Sequence, residues 1–163
     1  MLRNFLKLDV ARCKFHFRSS MFHVSGFMDF INKIMKIERF EDLEIWQLAR
    51  ELCKLIFAIT SQDPFNHDFK LRDQIRGSSG SVMDNIAEGF ERDGNKEFAQ
   101  FLSMAKGSSG ECRSQSYRAF DYQYVNQEVL NDLINRTTTL SKKISSMITY
   151  LKRSDYKGYK FKP

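Results

Sequence analysis

Between Gln74 and Gly89 the chain reads QIRGSSGSVMDNIAEG, and the phase of its apolar residues restricts the fold more than any other stretch does. A glycine and serine cluster ordinarily punctuates a chain as a loop. Leu71, Ile75, Val82 and Ile86, however, stand four, seven and four residues apart, so one helical register enters Gly77-Ser78-Ser79-Gly80-Ser81 and leaves it unshifted. A loop would lose that phase. The spacing predicts one helix over residues 68–90, ended by Gly89 as a permissive residue near the C-terminus. Its middle is stripped of bulk, which lets another backbone come close. Gln74, Ser78, Ser81, Asn85 and Glu88 recur at alternating steps of four and three, placing five polar groups on one side beside the apolar seam. Polar stripes are ordinarily solvated faces; a buried one would need partners for every group, at about 1–3 kcal/mol for each left unpaired.

The same device occurs again. Phe98, Phe101, Leu102, Ala105, Cys112 and Ala119 keep one register across Gly107-Ser108-Ser109-Gly110, predicting a further helix from Lys96 to about Tyr122 with Asn95 as its cap. R-G-S-S-G-S and K-G-S-S-G-E are near copies. Each interior glycine costs a helix roughly 1 kcal/mol relative to alanine, so the expectation is a tight helix crossing in which Gly77 and Gly107 are the packing residues. Ahead of these, Phe40 to Thr60 reads as a helix with Leu43, Trp46, Leu52, Ile56 and Ile59 inward and Phe57 beside them, broken by Asp63-Pro64 and Asn66. After them, Asn126 can cap a last helix from Gln127 to about Lys152, striped by Leu130, Leu133, Ile134, Thr137, Leu140, Ile144, Met147, Ile148 and Leu151. Four long helices with short links predict an all-α, antiparallel up-down four-helix bundle over residues 40–152.

A length of 163 residues suits one domain with a single core. No run approaches a membrane span. Cys13, Cys53 and Cys112 are scattered, odd in number and outside any C-x-x-C pattern, which points away from a disulfide framework or a zinc site and toward the reducing cytoplasm. The net charge of +6 suggests a polyanion, but its distribution matters more. Residues 1–39 hold eight Lys/Arg against three Asp/Glu, residues 40–151 thirteen against sixteen, and residues 152–163 five against one. The predicted body is thus mildly acidic and its ends basic. Residues 1–39 show no sustained period and are read as an extension, a mis-assigned start with Met28 or Met35 as the natural one; their mixed basic and apolar residues would also suit a surface-seeking or transit-like helix. The tail, 153–163, interleaves Tyr156, Tyr159 and Phe161 with Lys157, Lys160 and Lys162, an alternation that suits single-stranded nucleic acid, although such tails are more often disordered.

Gln74-Ile75-Arg76 followed by Asn85-Ile86-Ala87-Glu88-Gly89 resembles the Q-[IL]-R…N-I-A-E-G signature of a bacterial four-helix bundle family, the 23S rRNA intervening-sequence proteins. Phe40-Glu41-Asp42-Leu43 with Trp46-Gln47, Glu97-Phe98 with Phe101-Leu102, and Ala105-Lys106-Gly107-Ser108 with Glu111 resemble its other segments, in order, from about Phe40 to Lys152. Ser78, Ser79 and Gly80 depart from it, standing where alanines are common. The resemblance implies a homopentamer. It also implies association with nucleic acid or a ribonucleoprotein, since family genes lie in 23S rRNA insertions and the related accessory variability determinant of diversity-generating retroelements partners a reverse transcriptase and binds nucleic acid.

No catalytic, metal or cofactor pattern is evident. His16, His23 and His67 lack the glutamate three residues before them that a di-iron bundle uses, and there is no P-loop or nucleophile elbow. Glu88 and Glu111 could meet across two helices and do acid-base work, but are better read as acceptors for Asn85, Gln74, Arg76 or a neighbouring subunit. The expectation is a non-enzymatic cytoplasmic oligomer that binds RNA, DNA or a reverse transcriptase complex, without membrane or cofactor. Its nucleic-acid candidates are Arg76, Arg92, Arg113 and Arg118 in the body and Lys152, Arg153, Lys157 and Lys160 toward the tail, with Gln74, Gly77, Asn85, Glu88, Gly89, Gly107, Ser108 and Glu111 as structural motif residues. A protein-only scaffold is the alternative, and the acidic body favours it.

Overall fold

The structure, a computed structural model, describes residues 37–92 and 94–153. The expected extension up to residue 36, the candidate starts Met28 and Met35, and the tail from residue 154 with Lys157 and Lys160 lie outside the described residues. The described residues form four helices, α1 Glu44–Thr60, α2 Phe69–Glu91, α3 Asn95–Asp121 and α4 Gln127–Arg153, with short 3-10 turns at Phe40–Asp42 and Phe65–His67. There are no strands among the described residues. Neighbouring helices run antiparallel, as the hydrogen bonds between them show. Thr60 and Cys53 of α1 meet Arg76 and Ser79 of α2, Gln74 and Ser81 of α2 meet Arg118 and Ser108 of α3, and Arg113 and Ser109 of α3 meet Thr138 and Ser141 of α4.

Both glycine-serine runs are helical throughout, as the unshifted apolar phase required. Leu71, Ile75, Val82 and Ile86 are fully buried, as are Leu102, Ala105, Cys112 and Ala119 across the second run. Burial of so many aliphatic side chains outweighs the poor helix propensity of the waists, because each contributes about 1.5–3 kcal/mol. The role expected of Gly77 and Gly107 is not what the coordinates show. Both are exposed, and a methyl group added to either would meet nothing within 4 Å. The serines make the approach instead, Ser78 facing α3, Ser79 facing α1 and Ser109 facing α4.

The close glycine contact lies elsewhere. A Cβ on Gly89 would stand 2.5 Å from Phe101 Cβ and 2.9 Å from Phe98 Cδ2, so this residue does not end α2, which continues to Glu91, but admits the start of α3. Asn95 does not cap α3; it is the first helical residue, with Gly94 before it. Asp68 and Asn126 do cap their helices, accepting from the Leu71 and Val129 backbone N–H groups at 2.9 Å. On α1, Ile45 and Ala49 join Leu43, Leu52 and Ile56 in the core, whereas Trp46 and Ile59 are half-buried. Phe57, expected beside that core, is 61% exposed. Phe65 holds the two links together at one end, stacked on Tyr124 at 4.8 Å, while the Tyr124 hydroxyl donates to Asp68 at 3.2 Å.

Candidate nucleic-acid interface

The middle of the polar stripe of α2 is the seam with α3, Ser78 being buried and Ser81 half-buried there, while its ends, Gln74 and Glu88, are solvated as expected. Ser78 Oγ donates to Gln115 Oε1 at 2.6 Å inside the bundle, Ser108 Oγ donates to Ser81 Oγ at 3.3 Å, and Arg118 donates to Gln74 Oε1 at 3.1 Å at the rim. Periodicity gave the stripe but not its environment, because a small-residue waist brings α3 close enough to cover side chains that would otherwise face water. Asn85 turns back on its own helix, donating to the Ser81 carbonyl at 2.7 Å. Glu88 and Glu111 do not use the donors expected for them. Glu88 accepts from Arg92 at 2.7 Å and Glu111 from Gln115 Nε2 at 3.1 Å; each partner is one turn away on the same helix.

The basic candidates divide by what they touch. Arg76 donates to Thr60 Oγ1 at 2.7 Å and Ser61 Oγ at 3.0 Å, with its guanidinium 4.7 Å from the Phe57 ring centre. It locks α1 to α2. Arg92 is paired with Glu88 and lies over Phe101. Neither is free to take a phosphate without giving up those contacts. Arg113 and Arg118 have neutral partners, Thr138 Oγ1 at 3.2 Å and Gln74, so their charge is not cancelled. Lys152 and Arg153 are exposed at the end of α4, where cations complement the helix dipole.

On α3 and α4 a pair of lysines not singled out by the sequence carries the same property. Lys106 and Lys142 are exposed, their side chains make no hydrogen bond or ion pair among the described residues, and both line a cleft between α3 and α4 with Arg113, Thr138, Ser141, Ser145 and Ser146. They are 36 positions apart, so no local charge run announces them. A signal was nevertheless present: α3 carries no Asp or Glu from Phe98 to Gly110, and α4 none from Leu133 to Arg153. Within that stretch Arg136 is tied to Asp132, just before it, and Lys143 to Glu44 on α1. The body is acidic in total, yet this side of it is not.

The buried thiols hold no such charge. Cys112 is fully buried, and loss of solvent pushes its pKa from 9 to about 12, opposed by a hydrogen bond with Ser78. Cys53 is raised by burial too, against a hydrogen bond with Ser79, whose carbonyl accepts at 3.1 Å. Both stay protonated thiols at neutral pH, unsuited to act as nucleophiles or metal ligands.

Residues 41–146 match the family profile of the 23S rRNA-intervening sequence protein. The chain belongs to that family. Among solved structures it is similar to a protein of unknown function from the S23 ribosomal protein family of Bacteroides thetaiotaomicron, at 19% identity and a TM-score of 0.59, over 64% of this chain and 97% of that one. At that identity the likeness speaks for the fold. No curated protein matches. No helix among the described residues is long and apolar enough to cross a membrane.

Proposed function

We propose that this member of the 23S rRNA-intervening sequence family is a non-enzymatic, oligomeric, cytoplasmic interaction protein that works with nucleic acid or a ribonucleoprotein. One observation carries the reading: Lys106, Arg113, Lys142, Lys152 and Arg153, cations without a carboxylate partner among the described residues, gather on α3 and α4 over stretches almost devoid of acid, whereas the others of that kind, such as Arg50, Lys70 and Lys96, are scattered. Phosphate is the natural complement of such a surface, and contacts to it hold a nucleic acid without reading its sequence. A ring of five, the assembly implied by kinship, would repeat the surface around an axis so that weak contacts add. Gly77 and Gly107, exposed with open space beside them, leave room at the outer edge of the α2–α3 seam for a neighbouring copy in such a ring.

Purified full-length protein titrated with structured RNA and with duplex DNA at several salt concentrations tests this reading. Binding is expected to weaken linearly in log K against log salt, and light scattering is expected to show a multimer. Absence of binding even at low salt would leave a protein-only scaffold. Phe57 and Phe69, 61% and 62% exposed, are the apolar anchors such a scaffold would present.

A further inference from the structure

We infer that the cleft between α3 and α4 is the cradle in which a single nucleic-acid strand lays its phosphates; this rests on the nucleic-acid reading above and names the surface it uses. The cleft is shallow and open to solvent, with a volume of about 460 Å³, and is lined by Lys106, Arg113, Thr138, Ser141, Lys142, Ser145 and Ser146. That is three cations and four hydroxyls with no carboxylate. Ser141 is committed to Ser109 and Ser146 to the Lys142 carbonyl. Thr138 Oγ1 accepts from Arg113 and so keeps its own proton for a ligand, and the Ser145 hydroxyl has no partner among the described residues. Lys, Arg, Ser and Thr are the side chains that ordinarily meet phosphate oxygens.

The dimensions suit a backbone rather than an isolated ion. Arg113 lies two helical turns from Lys106, about 10 Å along α3, and Lys142 faces them from α4, so the cations are spread along a track. One turn beyond Arg113 on the same face stands Tyr117, 48% exposed. Although outside the cleft's lining, this exposed ring offers a surface on which a base of the bound strand would stack, the combination of cationic groove and aromatic platform that single strands use. An acidic protein segment fits less well, because no aromatic or aliphatic residue lines the cleft to receive an anchoring side chain of the kind that dominates protein interfaces.

Fluorescence anisotropy of a labelled single-stranded RNA of mixed sequence against the full chain tests the assignment. Lys106→Glu/Lys142→Glu changes two exposed side chains that hold no structural contact, and Lys106→Ala/Arg113→Ala/Lys142→Ala neutralises the track; Lys70→Ala/Lys96→Ala removes exposed charge elsewhere as a control. The triple variant is expected to flatten the log–log salt slope by about two, since three phosphate contacts on a single strand contribute about 0.7 each, with the control near wild type. Tyr117→Ala is expected to weaken binding without changing that slope. If wild type binds and the cleft variants bind equally well, or lose no more than the control, the cleft assignment is wrong and the broader reading survives. If wild type binds no RNA or DNA at low salt, both fall together. Preferential binding of poly-glutamate, lost on the Lys106→Glu/Lys142→Glu change, would assign the cleft to an acidic protein instead, and displacement of the RNA by inorganic phosphate at equal phosphate concentration would reduce it to a site for a small anion.

Discussion

Two nearly identical hexapeptides, Arg76-Gly77-Ser78-Ser79-Gly80-Ser81 in α2 and Lys106-Gly107-Ser108-Ser109-Gly110-Glu111 in α3, occupy corresponding places on the two middle helices, and they end in different circumstances. In each, the first serine turns to the shared seam and the second to the outer neighbour. Ser78 reaches Gln115 and Ser108 reaches Ser81; the Ser79 carbonyl receives Cys53 of α1, while Ser109 donates to the Thr137 carbonyl of α4. The leading cations part company. Arg76 is held by Thr60, Ser61 and Phe57, whereas Lys106 projects into a cleft beside Lys142. One local sequence therefore builds a brace on one side of the bundle and leaves a charged surface on the other. The partner helix decides, since α1 supplies hydroxyls and an aromatic ring that suit a guanidinium, and α4 supplies a second set of cations.

The comparison can be broken most forcefully at the serines. Ser79→Leu and Ser109→Leu each push a large side chain into a position at most 2% exposed and are each expected to cost about 3 kcal/mol, by overpacking. Gly77→Leu and Gly107→Leu should cost the monomer little, because those positions face open space. Urea unfolding midpoints would decide between them, and a glycine series costlier than the serine series would restore the glycines as the packing residues.

A smaller effect distinguishes the first serines. Ser78→Ala strips the buried Gln115 carbonyl of its 2.6 Å donor and should cost about 1–2 kcal/mol. Ser108→Ala gives up only a 3.3 Å contact at a half-buried site and should stay within about 0.5 kcal/mol. Equal losses in denaturant titrations would mean that the two seam contacts are equivalent after all.

Titration offers a third probe. The Cys112 pKa is raised in the folded state, so its contribution is fully present below the unfolded value near 9 and is lost as pH climbs toward about 12. Stability should fall by up to about 1.4 kcal/mol per pH unit in that window. Cys112→Ala should flatten the slope. Cys53, raised in the same direction but only half-buried, should leave it nearly unchanged when replaced.

The mildest changes concern the helix itself. Gly77→Ala and Gly107→Ala should each raise stability by up to about 1 kcal/mol, from propensity alone with space available. Lys106→Ala should leave thermal unfolding within about 0.5 kcal/mol of the parent. Arg76→Ala, which removes two hydrogen bonds and a ring contact, should lose about 1 kcal/mol. A loss at Lys106 as large as at Arg76 would erase the distinction drawn between brace and surface.

Much of the bundle could be read from residues. The spacing of Leu71, Ile75, Val82 and Ile86 carried α2 through a stretch whose composition says loop, and Asn126 announced α4 through a cap that the coordinates show. The misreadings share a cause. Gly77, Gly89 and Gly107 look alike in a string, but only at Gly89 does another side chain, Phe101, occupy the space of the missing methyl. Phe57 looked like core because it neighbours Ile56, yet it lies one position around the helix and serves as a lid under Arg76. Of the described basic candidates, Arg76 and Arg92 proved committed to neighbours, and Lys106 and Lys142 were visible only once two antiparallel helices set them side by side.

The sequence by itself determined that the described part of this chain is helical, where its four rods run, most of the residues that line their inner stripes and the kinship they signal, because those depend on period and order along one strand of covalent chain. Tertiary structure alone decided which polar groups are buried, which cations keep their charge uncancelled and which glycine is crowded. Each of those is a property of what arrives from a different helix, and the distance between residues tens of positions apart is fixed only when the helices pack.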